Sequence, residues 1–409
     1  MENAKFYTFE HQPAPDSCWS LHAGPDGRIY AASCCEYAGG GEAKLIRYND
    51  STDSLDTVLN VAEAAGEPGS TGRASQCKIH YSFAPSAADG LLYMATHLSA
   101  PGKGTRRYSP WSDWKDDKRS FPHSVLIAYD TNTDHVAWTS HFIPREGCRC
   151  LALDAVRRRL YAVSYPRDHF WIFDLDTRTI RDLGRLGSVN SQVVFTDRRG
   201  RAFTTNGDGQ LVRYDPETDR LLEIPVRVPH APYLNGWHSV FYDVVASPEG
   251  DCVYGVPWTV DPHLFRYWPE EGEFGRMEDL GPVHQRRDLT MPVAFYLDHC
   301  GGLVFGADGK LYFAINRWQA GAEHCKAEHD AKGMMETVVV QMDVRSGEKR
   351  DFVRLLKPGS HGNYVSRAAR DRHGNLFFGQ VNRPIPVGLS RVPMPPSGPK
   401  SHLPLRTWG

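Results

Sequence analysis

Short apolar runs bounded by turn residues recur along the chain, and they recur in one form. The stretches "PDGRIYAAS" (25–33), "ADGLLYMAT" (88–96), "RRGRAFTTN" (198–206), "ADGKLYFAI" (307–315) and "RHGNLFFGQ" (372–380) share a glycine, a spacer, an apolar residue and then Tyr or Phe. Two looser copies, "RRRLYAVSY" (157–165) and "EGDCVYGVP" (249–257), fall in the gaps. Brief apolar runs closed off by Gly, Asp and Asn read as strands covered on both faces. Their anchoring aromatics are Tyr30, Tyr93, Tyr161, Phe203, Tyr254, Tyr312 and Phe377, spaced 42 to 68 residues apart.

A short strand precedes each copy and another follows it, among them "KLIRYND", "SVLIAYD", "FWIFDLD", "QLVRYDP" and "VVVQMDV". The turns after these, such as "DTNTDH", "DPETDR" and "DVRSGE", carry the residues that tight turns demand. Each unit therefore predicts a four-stranded antiparallel meander, and no convincing amphipathic helix interrupts the series. Seven such units point to an all-β chain folded as one seven-bladed β-propeller over residues 1–409. Closing seven sheets into a ring protects their edges without helices. The last unit runs out after "GLSRVPM", one strand short, and the N-terminal "KFYTFE" is the spare strand that would complete it. The competing architecture is an irregular pair of β-sandwiches.

Composition narrows the setting. The chain has 409 residues, 41 % hydrophobic and 11 % aromatic, with a net charge of -2. That balance offers no electrostatic footprint for nucleic acid. No run of apolar residues is long enough to span a membrane. The first fifteen residues, "MENAKFYTFEHQPAP", lack the basic and then apolar regions of a signal peptide. Nine cysteines, an odd number with Cys34 and Cys35 adjacent, do not resemble a secreted disulfide framework. A reducing, cytoplasmic compartment is the expectation, although a secreted chain trimmed of its signal would read alike.

The anchors also serve as a ruler. In a blade whose strands alternate in direction, the end of the second strand and the start of the first share one face, around the central channel. Four residues after each anchor stand Cys34, His97, Tyr165, Gly207, Trp258, Asn316 and Val381. Twelve or thirteen residues before stand Ser17, His80, Arg149, Asn190, Tyr242, His299 and Tyr364, with Gln192, His238 and His361 as near competitors. One blade thus offers His80 and His97, and the next offers Arg149 and Tyr165. A long loop at 98–123 rises from the same face with Arg106, Arg107, Trp111 and Trp114, suited to gripping a ligand. The plainer readings stand beside these. A single strand histidine is ordinarily packed and satisfied, Tyr165 and Trp258 suit an ordinary core, Arg149 suits a buried ion pair, and the loop suits a plain insertion. Convergence of four such groups is what favours a site.

No Gly-x-Ser-x-Gly elbow, Walker loop, His-Glu-x-x-His or Cys-x-x-Cys pair is present. A pocket of imidazole, phenol and guanidinium suits abstraction of a proton next to a carboxylate, whose charge needs Arg, His⁺ or a metal beside it. The segments "KIHYSF", "LLYMATH", "CRCLALD" and "LYAVSYPRDHFWIFDLDT" resemble the seven-bladed polysaccharide lyases of the ulvan lyase and rhamnose–glucuronate lyase type. The resemblance covers about a third of the chain closely. It implies β-elimination at a uronic acid in an acidic oligo- or polysaccharide, giving an unsaturated uronate. His80 and His97 would be the paired histidines, Tyr165 the base and acid, and Arg149 a carboxylate-binding arginine, with Arg167, Arg181 and Arg185 as other arginines downstream of Tyr165. Asn190, Gln192, His238, Tyr242, Trp258, Asn316, His361 and Tyr364 would complete the substrate surface with the loop residues. The chemistry requires no cofactor. Members of that group can hold a structural metal ion, Ca or Zn, for which Cys300 and Cys325 with His299, His324 and His329 are loose candidates. Two other readings stay open: a metal-dependent sugar lactonase, for which Asn190, Asn206 and Asn316 are channel candidates, and a non-catalytic propeller that binds carbohydrate or protein.

Overall fold

An aspartate and a tyrosine four residues apart close the first turn of several repeats. Tyr30 donates its hydroxyl to Asp26 at 3.0 Å, Tyr93 to Asp89 at 2.9 Å and Tyr312 to Asp308 at 2.8 Å. The aromatic anchor thus fills the core with its ring and ties its own turn with its hydroxyl. A second set does the same at the outer turns: Tyr48, Tyr129 and Tyr214 donate to Asp53, Asp134 and Asp219. Each of these aspartates sits in the left-handed region, at φ 52°, 57° and 56°, where Asp is better tolerated than bulkier residues.

The computed structural model describes residues 4–11, 14–35, 41–66, 76–97, 123–187, 191–229, 240–259, 262–283, 300–318, 335–355, 364–381 and 387–395. These residues form seven antiparallel sheets of four strands each. Blade 1 comprises Leu21–Ala23, Ile29–Ser33, Lys44–Asn49 and Ser54–Asn60. Blade 2 comprises Phe83–Ser86, Leu91–Ala95, His123–Asp130 and His135–Pro144, and blade 3 comprises Gly147–Asp154, Arg159–Tyr165, His169–Asp174 and Ile180–Arg185. Blades 4 to 6 open at Phe195–Thr196, Val240–Ala246 and Cys300–Phe305. Blade 7 takes Tyr364–Arg370, Leu376–Val381 and Gly388–Val392, and Lys5–Thr8 supplies its outer strand. The innermost strands pack neighbour to neighbour around the ring, so this is a seven-bladed β-propeller. One short helix, Val61–Ala64, is capped by Asn60. Among the described residues no helix is long and apolar enough to cross a membrane.

The ring closes as the spare-strand argument requires. Lys5 pairs with Arg391 and Thr8 with Gly388, and the Phe9 amide donates to the Val387 carbonyl at 3.0 Å. A side chain at Gly388 would stand 1.8 Å from the Tyr7 carbonyl oxygen, so only glycine admits this strand. Ser17 then bridges both Cys34 of blade 1 and Val381 of blade 7, a second seam across the junction.

Bulges shape the inner wall. The innermost strands of blades 3, 5 and 7 each shift register by one residue, at Arg149, Tyr242 and Ser366. A bulge re-aims the side chain it carries. Two of the three bulged residues, Arg149 and Tyr242, are ones that the spacing ruler assigns to the channel.

Candidate functional site

His97 lies just past the second strand of blade 2, and its amide donates to the Lys78 carbonyl at 2.9 Å. The next blade comes unusually close here: a Cβ on Gly147 would sit 2.2 Å from the His97 carbonyl oxygen. That close approach brings the bulged Arg149 against both imidazoles. Its Nη1 stands 3.5 Å from Nε2 of His80 and 3.5 Å from Nε2 of His97. The two imidazole centroids are 5.1 Å apart. The Tyr165 ring lies 5.0 Å from that of His97, and the Arg149 guanidinium carbon sits 4.7 Å over it. The four residues singled out in blades 2 and 3 therefore form one cluster.

Guanidinium nitrogens only donate, so each Nε2 facing Arg149 presents a lone pair and each Nδ1 carries the proton. His80 Nδ1 donates to the Arg149 carbonyl at 3.1 Å. His97 Nδ1 and Arg149 Nε have no hydrogen-bond partner although both are buried. Two orphaned donors in one cluster, with a fixed positive charge between them, suit an acceptor carrying negative charge. The expectation that Arg149 pairs with a buried carboxylate fails in its direct form, since no acidic group lies within ion-pair distance among the described residues.

Accessibility separates the four. His80 is 2 % exposed and His97 fully buried, whereas Tyr165 is half-buried. Desolvation holds both imidazoles well below the usual histidine range, and the Arg149 and Lys78 charges push the same way. They are neutral near pH 7, so Arg149 and Lys78, not imidazolium, supply positive charge here.

This neutrality makes folding pH-dependent. The unfolded chain, with imidazoles near 6.5, binds protons that the folded chain refuses, so stability is present above that value and is lost as pH falls below it. Each imidazole accounts for on the order of 1–2 kcal/mol between about pH 6.5 and 5. Asp168, whose carboxyl is raised from 3.8 to about 6, works in the opposite direction by gaining stability as pH falls through 6. The expected result is a lower urea midpoint at about pH 5 than at about pH 7, with a shallower slope in the His80→Gln/His97→Gln double variant. An unchanged slope in that variant would mean the imidazoles are solvated.

Rings extend the cluster across the channel. Trp19 stacks on His80 at 4.8 Å and 18°, with the Lys78 ammonium 4.7 Å over its indole. Tyr81 touches His80 at 4.3 Å and Tyr242 at 5.8 Å, and Tyr242 reaches Trp258 at 6.2 Å. Arg367 lies over Tyr81 at 3.6 Å and pairs with the buried Asp243. Trp19, Lys78, Tyr81 and Arg367 were not singled out from the sequence, though Lys78 stands two residues before His80 in the same segment.

The remaining candidates are dispersed. Gln192, Asn316 and Tyr364 are buried in blades 4, 6 and 7, and the Asn316 amide donates within its own blade to Thr337 at 3.1 Å. Arg181, on the outer strand of blade 3, pairs with Asp219 in the outer turn of blade 4, and Arg167 pairs with Glu146. Arg106, Arg107, Trp111, Trp114, Asn190, His238 and His361 lie outside the described residues. So do His299, His324, Cys325 and His329 of the loose metal set; Cys300 is buried, its thiol pushed up by burial. Among the described residues no group of three His, Cys, Asp or Glu is placed to hold a metal ion.

No protein-family model and no curated protein matches this chain. Solved structures do. The extracellular domain of the one-component system BT4673 from B. thetaiotaomicron superposes with a TM-score of 0.57 at 13 % identity over 95 % of this chain, which spans 40 % of that one. A fungal alcohol oxidase of the AA5 family, in complex with copper, gives 0.62 at 8 % identity, covering 95 % of this chain and 75 % of that one. The WD40 repeats of RRP9 give 0.55 at 10 % identity, covering 96 % and 99 %. At such identities the likeness is one of fold, shared by enzymes and non-enzymes alike.

Proposed function

We propose that this propeller is a polysaccharide lyase that cleaves a glycosidic bond to a uronic acid by β-elimination. The observation carrying the reading is Arg149, a buried guanidinium with an unpartnered Nε, seated between two neutral imidazoles and over a half-buried phenol. A uronate carboxylate has the charge and acceptor geometry for Arg149, and clamping it acidifies the C5 proton. Tyr165, the accessible member, takes that proton. The C5–H and C4–O bonds break, a C4–C5 double bond forms, and the proton returns from Tyr165 to the leaving oxygen, so no water is consumed. The guanidinium stacked 4.7 Å over its ring keeps the phenol beside the bound carboxylate. His80 and His97, buried and neutral, face the guanidinium with their Nε2 atoms and hold it in place for the carboxylate.

The test is incubation with a panel of uronate-containing glycans, read by the ultraviolet absorbance of the conjugated unsaturated uronate and by product mass. A product lighter by one water than the hydrolysis product supports elimination. Binding with no new absorbance on any glycan would make the chain a carbohydrate-binding propeller, and chelator-sensitive lactone opening would make it a lactonase.

A further inference from the structure

Blade 3 buries two carboxylates that this mechanism does not use. Asp168 follows Tyr165 by three residues in the turn between the second and third strands, held at φ 55° with its carbonyl accepting from the Leu186 amide at 2.9 Å. It is 2 % exposed, and its Oδ1 has no hydrogen-bond partner. Glu146, in the turn before Arg149, is also buried; Arg167 binds one oxygen, and the other, Oε2, is without a partner. Orphaned acceptors (Asp168 Oδ1, Glu146 Oε2) and orphaned donors (Arg149 Nε, His97 Nδ1) thus sit in one corner of the ring without meeting. Burying an ionised carboxylate with an unsatisfied oxygen is costly, and a proton relieves the cost.

We propose that Asp168 makes anion binding at this site proton-linked: a carboxylate bound on Arg149 drives a proton onto Asp168. The charges acting on Asp168 come from each element around it. Arg149 on the innermost strand and Arg185 on the outer strand stabilise its ionised form, His169 on the third strand acts in the same sense, and Glu146 opposes. The Cys150 thiol, pushed up to about 12 by burial, stays neutral throughout. Burial is the largest influence and sets the carboxyl at about 6, with Arg149 the main restraint against a further rise. An anion that neutralises Arg149 removes that restraint. The Asp168 carboxyl then rises by about one unit, worth about half a proton taken up per ligand at about pH 6.5. By the same linkage, affinity for the anion improves up to about tenfold as pH falls from about 8 to 5. Asp168 is a positioning residue for charge, since it touches no substrate in this arrangement.

The inference rests on Arg149 as a carboxylate clamp and not on the elimination step. Its test is titration calorimetry of the full chain with glucuronate in two buffers of different ionisation enthalpy. Uptake of about half a proton in the native chain, and none in Asp168→Asn, is the expected result. Uptake that persists in Asp168→Asn would place the proton on His80 or His97 and overturn the proposal while leaving the clamp intact. Absence of glucuronate binding would overturn the clamp and the linkage together. A ligand-free arm follows the Asp168 carboxyl by NMR after carbon-13 aspartate labelling, its signal identified by loss in Asp168→Asn. Arg149→Met should raise its midpoint; a midpoint unmoved by that change shows the two groups uncoupled, and the proposal falls.

Discussion

Tyr165→Phe will lower the rate of unsaturated-uronate formation by ~10² to 10⁴, the usual worth of one general acid–base group, with KM little changed. The substitution keeps the ring, so Arg149 retains its face to stack on and His97 its 5.0 Å neighbour. Only the hydroxyl proposed to move the proton is lost. The size of the effect follows from who else could take over. His80 and His97 are neutral and each presents an Nε2 lone pair, but Arg149 occupies both and almost no imidazole surface is exposed. Of the four clustered residues Tyr165 is the most exposed. Equal melting temperatures for the two proteins would exclude a folding defect. Near-normal product formation by the variant would hand the base role to His97 and require Arg149 to swing away from it on binding.

The legible part of this fold was whatever repeats. Five glycine–apolar–aromatic copies with two looser ones, a turn after each third strand and one spare strand are enough to number the blades and to close the ring, because each feature reports local backbone and burial. The ruler built on the anchors picked out Arg149 and Tyr242, and both fall at the register shifts of their strands. It brought together residues at its own two positions in neighbouring blades, but had no means of sensing partners that lie elsewhere in the chain. Trp19 reaches His80 from the segment ahead of blade 1, and Arg367 reaches Asp243 from blade 7 to blade 5. Nor does spacing report charge state. The histidines read equally well as imidazolium or imidazole until their burial beside Arg149 and Lys78 was visible. Asp168 stood in plain sight in "SYPRDH", but a turn aspartate signals nothing until its carboxylate is seen to be buried.

Deleting residues 1–9 will cost the ring at least ~5 kcal/mol, a sum comparable with the whole stability of many domains. Two large side chains leave with the strand, Tyr7 and Phe9, both buried against blades 7 and 1. Truncating one core aromatic typically costs ~3–5 kcal/mol. The strand Gly388–Val392 would in addition become an open edge, with unpaired amides where Lys5–Thr8 now binds. The damage should travel to the site by a defined route. Ser17 holds blade 1 to blade 7, and Trp19, two residues on, lies against His80. The truncated chain should therefore melt earlier, self-associate through the exposed edge, and bind glucuronate more weakly even where it stays folded. A synthetic peptide of residues 1–9 should restore both melting temperature and binding by adding its strand back in register. A truncated chain with an unchanged melting temperature would show that blade 7 holds its edge with three strands, and that the N-terminal strand rests on the ring without closing it.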